Sequence, residues 1–408
     1  MLNRRTLIKR LSAMPLLGGI FGSTALSSTL SAAPVTAAAS RNLLKELGVR
    51  TFINAAGTYT AMTGSLMDDD AVETIRATSK EFVMLDEVQT KVGEKIAALT
   101  HAESAVVTAG CFSAMTLGLA GVLTGMDQKK VEQLPHLAGS GMKSEVIAQK
   151  AHNIGYSHAL TNTGCTIIQV ETIDELEKAI SDKTALLWFL NIQSDKGSIT
   201  HEQWVALGKK HSIPTMIDMA ADVPPVENLW KFNDMGFDLV CVSGGKAMRG
   251  PQSTGILMGK KNLIAAARLS MPPRGSTLGR GMKVNKEEIL GMYVALDKFI
   301  AQDHQKEWKM LEERVTLISN AVKSINGVTV ETYAPALGNH TPTMRIGWDA
   351  SKIKLTVKAL QEQLRGGNPS IEVVGEPNAI SITTWMLKPG QEKIVAARLK
   401  EEFTKASV

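Results

Sequence analysis

Cysteine is scarce in this chain: 408 residues hold three, Cys111, Cys165 and Cys241. An odd number so widely spaced cannot build a disulfide framework, and without a CxxC pair or a Cys/His cluster it suggests no zinc site. A functional excess of charge is also lacking. Lys and Arg number 45 against 40 Asp and Glu, for a net +5. Four of the bases (Arg4, Arg5, Lys9 and Arg10) sit in the first ten residues, and residues 1–39 contain no acid. The remainder carries 41 bases against 40 acids, so bulk charge indicates no nucleic-acid face and no nucleic-acid partner is expected. No internal repeat is visible. With 44% hydrophobic and 21% charged residues, the composition excludes a disordered or low-complexity protein. The length exceeds one small core and suffices for two packed domains.

The first forty residues read as an address. Arg4-Arg5 is followed by Thr6-Leu7-Ile8-Lys9, then by an uncharged stretch rich in Gly, Ala, Ser and Leu that ends near Ala37-Ala38-Ala39. This resembles a twin-arginine export signal, with residues 1–39 removed after passage through the twin-arginine translocase into a periplasmic or other extracytoplasmic space. The alternative is a retained membrane anchor, which the weak hydrophobicity and the Gly, Ser and Pro15 interruptions disfavour. Such a signal implies a cargo exported already folded, its cysteines tolerable in an oxidising space if buried.

From residue 99 onward the pattern alternates between short apolar runs and helical runs. Strands are expected at 104–108, 145–149, 165–170, 185–192, 215–218, 239–243 and 254–258. Helices are expected at 111–123, 153–161, 172–180 (opened by a Thr172/Glu175 capping box) and 202–211. The run 185–192 is nearly all apolar, as in a strand covered on both faces. A long helical region at 286–322 leads to strands at 327–333, 343–348 and 379–384 and helices at 355–364 and 392–403. Residues 133–141 read as a surface loop. The expected class is α/β, a mostly parallel sheet with helices on both sides.

In such sheets ligands collect at the carboxyl ends of strands, and three ends carry informative residues. In the first, Lys246 leaves an apolar strand into the glycine-rich turn Ser243-Gly244-Gly245-Lys246. A lysine losing its proton there suits Schiff-base chemistry, with Ser243 able to donate to a phosphate; the alternative is a solvated lysine on a surface turn. In the second, Asp218 ends an apolar strand, where a carboxylate needs a cation or strong donors. The protonated ring nitrogen of pyridoxal 5'-phosphate is one such group; the alternative is a cap for the next helix. In the third, Gly110, Cys111 and Ser113 follow a strand and open a helix, whose amides suit a phosphate. Proximity to a helix start would lower the Cys111 pKa, but a backbone role is preferred to a nucleophilic one. Cys165 and Cys241 read as plain core residues.

These features together resemble the fold-type I pyridoxal-phosphate enzymes of the selenocysteine synthase-like group, in the branch similar to D-glucosaminate-6-phosphate ammonia lyases. The matching stretches are residues 53–60 (INAAGTYT), 145–152 (EVIAQKAH), 156–159 (YSHA), 243–252 (SGGKAMRGPQ), 279–283 (GRGMK) and 341–345 (TPTMR). The resemblance spans residues 45–405. It implies an N-terminal arm and large cofactor-binding domain at 40–295, with a seven-stranded-type sheet, and a small α+β domain at 296–408. It implies that Lys246 carries the cofactor, that Asp218 partners its ring nitrogen, and that Gly110, Cys111, Ser113 and Ser243 surround its phosphate. His152 is expected to stack on the cofactor ring; the alternative is a satisfied, partly buried histidine. Asn54, Thr58, Arg280, Lys283 and Arg345 are expected to bind substrate, Arg280 and Lys283 alternatively a neighbouring subunit's phosphate, in a homodimer or larger homo-oligomer. The tRNA activity of selenocysteine synthases is not expected, because the chain enters the 53–60 motif directly after the signal and has no basic surplus.

The implied reaction is α,β-elimination with ammonia release from an amino acid or amino-sugar acid, the substrate unphosphorylated because the enzyme would work outside the cytoplasm. Racemisation or epimerisation, transamination, and an exported ligand-binding protein that has kept the fold are the alternatives.

Overall fold

The computed structural model describes residues 41–408, so the export-signal reading lies outside the described residues. Residues 41–50 belong to a separate unit, with a short helix Leu43–Glu46 capped by the Asn42 side chain. Residues 51–408 form one compact body.

Thirteen strands are present among the described residues. They are β1 (Phe52–Asn54), β2 (Ser104–Thr108), β3 (Glu145–Gln149), β4 (Thr166–Val170), β5 (Thr184–Leu190), β6 (Thr215–Asp218), β7 (Leu239–Ser243), β8 (Gly255–Gly259), β9 (Val328–Tyr333), β10 (Thr343–Trp348), β11 (Ser370–Glu372), β12 (Val374–Glu376) and β13 (Ala379–Thr383). Seven of them form the large sheet, in the order β2-β8-β7-β6-β5-β3-β4. It is parallel apart from β8, which runs antiparallel to β2 and β7. Every residue of β5 is buried. Leu187 and Phe189 pack into one core, Leu186, Trp188 and Leu190 into the core on the other face. That two-sided burial is why the segment reads as a continuous apolar run. The helix Gly110–Thr124 is buried almost all round, and a methyl at Gly121 would lie 2.6 Å from the Ala267 amide nitrogen of helix Lys261–Leu269. Only a glycine lets these helices approach so closely.

The smaller sheet is antiparallel, in the order β12-β13-β10-β9. Its core takes side chains from helices His304–Val322, Val357–Gly366 and Gln391–Ala406. β1 pairs in parallel with β11, and Ile53 and Ala55 join this same core, so the start of the body is built into its C-terminal part. The fold-type I architecture expected from the sequence is present.

Several local expectations are corrected. The region 286–322 is two helices, Lys286–Ala301 and His304–Val322, the second capped by Asp303, whose carboxylate accepts from the Lys306 amide at 2.9 Å. Leu296, expected near a domain boundary, sits mid-helix in the core of the large sheet. Residues 153–161 form a single-turn 3-10 helix, Gly155–Ser157, and the short helix His158–Thr161. Half of the capping box forms: Thr172 accepts from the Glu175 amide at 3.2 Å, while the Glu175 carboxylate takes the Glu171 amide instead. β1, β11, β12 and the helices Asp69–Thr78 and Leu85–Leu99 have no counterpart in the sequence reading.

Candidate active site

The turn that follows β7 is pinned by its own backbone. The Gly244 amide donates to the Thr254 carbonyl at 2.8 Å, Gly250 to Gly244 at 3.0 Å, and Ser65 to Gly245 at 3.0 Å. Gly245 has no room for a side chain, since a Cβ would collide with the Gln252 backbone. The turn projects Lys246 into a cavity of about 650 Å³. Thr58, Gly110, Cys111, Asp218 and Ser243 line the same cavity. Six of the residues singled out in the sequence therefore converge, from the carboxyl ends of β2, β6 and β7 and from the segment after β1. A second cavity of about 190 Å³, walled by Phe299, Trp308, Leu311 and Trp385 among others, contains none of them.

Asp218 is almost fully buried. Its Oδ1 accepts from the Ala220 amide at 2.9 Å and from the Cys111 thiol at 3.4 Å. Among the described residues its other carboxylate oxygen makes no hydrogen bond. Burial pushes the Asp218 pKa up, opposed by the Ala220 amide, the charge of Lys246 and the Cys111 thiol. Lys246 itself makes no hydrogen bond or ion pair among the described residues. Gly110, at φ +86°, opens the helix Gly110–Thr124. That conformation costs a residue bearing a Cβ about 1 kcal/mol, and the first four amides of the helix have no partner within it.

The remaining expectations are not brought there. Ser113 spends its hydroxyl on the Ala109 carbonyl at 2.8 Å. Asn54 organises its own turn, accepting from the Ala56 and Gly57 amides at 3.0 Å and donating to the Gly57 carbonyl at 2.8 Å. His152 does not line the cavity. Its imidazole is fully buried, edge-on to Phe189 at 4.5 Å between ring centres. Its Nδ1 accepts the Leu190 amide at 3.2 Å, which requires the neutral ring, and burial holds its pKa down at about 4. The satisfied core histidine is the reading the structure supports. Arg280 and Lys283 are exposed on this subunit and do not line the cavity. Arg345 is held at 2.7 Å by Glu376, and it is the Glu376 carboxylate that lines the cavity. Cys111 has no activated thiol: burial, with Asp218 next, pushes its pKa well up.

Sequence reasoning missed Glu376 and a second buried carboxylate, Asp222. The latter accepts the Gly338 amide at 3.0 Å and a hydrogen bond from Asn191, whose Oδ1 in turn accepts a hydrogen bond from His201 Nε2 at 2.7 Å. Burial pushes the Asp222 pKa up to about 6, and the neighbouring charge of Asp218 adds to the rise. The Asn339 amide bonds the Ala221 carbonyl at 2.6 Å, so this network stitches the segment after β6 to the loop before β10. Its only sequence signal is an aspartate four residues beyond Asp218.

Residues 59–280 match the model of the aminotransferase class-V family, more than half of the chain. The chain belongs to the aminotransferase class-V family.

Among characterised proteins it is similar to D-glucosaminate-6-phosphate ammonia lyase from Salmonella typhimurium (strain 14028s / SGSC 2262), at 26% identity over 88% of this chain and 97% of that protein. A solved structure of a D-glucosaminate-6-phosphate ammonia lyase superposes with a TM-score of 0.78 at 26% identity, covering 90% of this chain and all of the other. L-seryl-tRNA(Sec) selenium transferase from Clostridium botulinum (strain Okra / Type B1) is 24% identical over 80% of this chain and 78% of its own. At the level of fold alone, a structure described as SPT with PLP gives a TM-score of 0.55 at 13% identity, over 88% of this chain and 89% of that one.

This class-V chain is a pyridoxal-phosphate-dependent enzyme. Its residues fit that cofactor. A buried carboxylate with one oxygen bonded and one open is costly alone, and the protonated nitrogen of a pyridine ring supplies the missing cationic donor. The helix start at Gly110 suits the phosphate, with the Ser243 hydroxyl beside it. Lys246 provides the amine.

Proposed function

We propose that this enzyme is a lyase that expels a leaving group from the β-carbon of an amino acid or amino-sugar acid by α,β-elimination, the released enamine then hydrolysing to ammonia and a keto acid. The observation that carries the reading is the convergence of Lys246 with the half-open, buried Asp218 carboxylate in one cavity. When bound, pyridoxal phosphate supplies an electron sink that acidifies the α-carbon of the substrate. In this reading Lys246 Nζ would hold the cofactor, and its free amine would take the α-proton as general base. Asp218 would hold a positive charge on the cofactor's ring nitrogen, and the Gly110 helix start and Ser243 would hold its phosphate. Thr58 lines the same cavity. The relatives support elimination over racemisation or transamination, since a relative matched along nearly its whole length is an ammonia lyase.

The N-terminal residues support delivery to the periplasm by the twin-arginine translocase. Arg280 and Lys283 are exposed, which supports the reading that they serve a neighbouring subunit in a homodimer or larger homo-oligomer. Replacing Arg4 and Arg5 by lysine should hold the protein in the cytoplasm, read by fractionation.

The reading is tested by incubating purified, cofactor-supplemented protein with amino acids and amino-sugar acids. Stoichiometric ammonia and keto acid are expected from the wild type, with Asp218→Ala at least about a hundredfold slower. Loss of optical rotation without any keto product would replace the lyase with a racemase.

A further inference from the structure

The turn before β10 brings to the cavity a polar side chain that the sequence reading did not single out. Gly338 and Asn339 are consecutive left-handed residues, at φ +65° and +47°. Two bonds hold their backbone to the segment after β6. The Gly338 amide donates to Asp222 Oδ1 at 3.0 Å, and the Asn339 amide donates to the Ala221 carbonyl at 2.6 Å. Gly338 has no room for a side chain, since a Cβ there would lie 2.7 Å from Ile192 Cδ1. The Asn339 carbonyl accepts from the Thr341 hydroxyl at 3.3 Å. The main chain of Asn339 is therefore engaged on both sides, and its place beside the end of β6 is fixed.

Its side chain is not engaged. Asn339 lines the cavity together with Asp218, Ala220, Ala221 and Lys246. Its Oδ1 is buried without a hydrogen-bond partner. Its Nδ2 makes no hydrogen bond among the described residues, and it is not sealed off as Oδ1 is. Turning the carboxamide over would bury two N–H donors in place of one acceptor, and orphaned buried donors are rarer than under-satisfied oxygens. The end left to the cavity is thus the NH2 group. Asn54 shows the contrast, since both ends of its carboxamide are spent on its own turn.

An uncommitted N–H donor on a cavity wall matches an anionic acceptor, because hydrogen bonds to ionised groups are the stronger ones. Every member of the substrate class in the lyase reading carries such an acceptor, the carboxylate on its α-carbon. We propose that Asn339 is a substrate-binding residue whose Nδ2 donates to that carboxylate. The proposal rests on the lyase reading only in taking this cavity as the site of an amino acid. The competing explanation is that Asn339 serves the turn alone, because asparagine tolerates a left-handed backbone better than most residues.

Two variants separate these roles. Asn339→Gly keeps the left-handed backbone and removes the carboxamide. Asn339→Asp keeps the shape and replaces the donor with a negative charge. Titration calorimetry on cofactor-loaded protein reads the binding of alanine, which has no β-leaving group, and of ethylamine, the same skeleton without its carboxylate. Both enantiomers of alanine are titrated, and the one the wild type binds more tightly is the reference. Asn339→Gly should weaken alanine by at least about tenfold and change ethylamine by no more than about twofold. Asn339→Asp should weaken alanine further, since like charges then meet. Three results overturn the proposal: alanine bound by Asn339→Gly as tightly as by the wild type, an equal loss of alanine and ethylamine, or wild-type binding of ethylamine as tight as that of alanine. Ammonia release from amino acids and amino-sugar acids by the wild type, followed in parallel, keeps the lyase reading separate: it stands if release occurs, whatever the variants bind, and falls if release is absent.

Discussion

Asp218 and Cys111 form an unusual pair for the heart of a cofactor site. The thiol is a weak donor, yet among the described residues it supplies one of only two hydrogen bonds to the buried carboxylate. Cys111→Ala should leave Asp218 harder to ionise and so weaken its hold on a cationic ring. The expected outcome is a several-fold rise in the cofactor dissociation constant, read by fluorescence titration, with about 1 kcal/mol or less lost in urea unfolding. Cys111→Ser, which restores a donor, should recover most of the affinity. At this scale the sequence was legible where a side chain stands at a strand end. Lys246, Asp218, Ser243 and Gly110 could be placed because parallel-sheet geometry leaves such positions facing a common crevice. It was illegible where a local partner competes. Asn54 and Ser113 satisfy nearby backbone groups, as short polar side chains do, and nothing in the order of residues distinguishes that from a ligand role. Arg345 is neutralised by a glutamate on a strand reached only through folding.

The helix Gly110–Thr124 joins fold to chemistry, since it packs against the sheet and its first residues, Gly110 and Cys111, line the cavity. Gly110→Ala forces a Cβ into a left-handed conformation. It should cost about 1 kcal/mol of stability and weaken cofactor binding by about tenfold as the first amides shift, measured by denaturation and by cofactor titration. Within the large sheet, Phe189→Ala should cost about 3–5 kcal/mol, because Phe189 is fully buried in β5. The strands of this sheet were readable from composition because burial on both faces leaves a run of apolar residues. β1 and β11 were not: each is three residues long, and each finds its partner at the far end of the chain. The split at Gln302-Asp303 was likewise hidden, since apolar positions keep helical spacing on both sides of it.

Across the whole molecule, buried titratable groups set the response to acid. Burial holds His152 and His201 down at about 4, whereas an unfolded imidazole protonates near 6.5. Between those values the unfolded chain binds two protons that the folded chain refuses, so these histidines cost stability as pH falls through the window. Asp222 acts in the opposite sense. Its folded pKa of about 6 lies above the unfolded value near 4, so the folded chain takes up that proton first. Asp222→Asn should therefore steepen the loss of stability between pH 6 and 4 by about 1.4 kcal/mol per pH unit relative to wild type. His201→Gln should make it shallower by a similar amount. Urea unfolding at half-unit pH steps reads both.

A pyridoxal-phosphate site assembled on Lys246 is tested most directly by reducing the cofactor-loaded protein with borohydride and mapping the modified peptide by mass. The predicted result is a visible absorbance band that reduction abolishes, with the pyridoxyl mass on Lys246 alone. A band that persists, a pyridoxyl mass on another lysine, or no modified peptide after incubation with excess cofactor would contradict it.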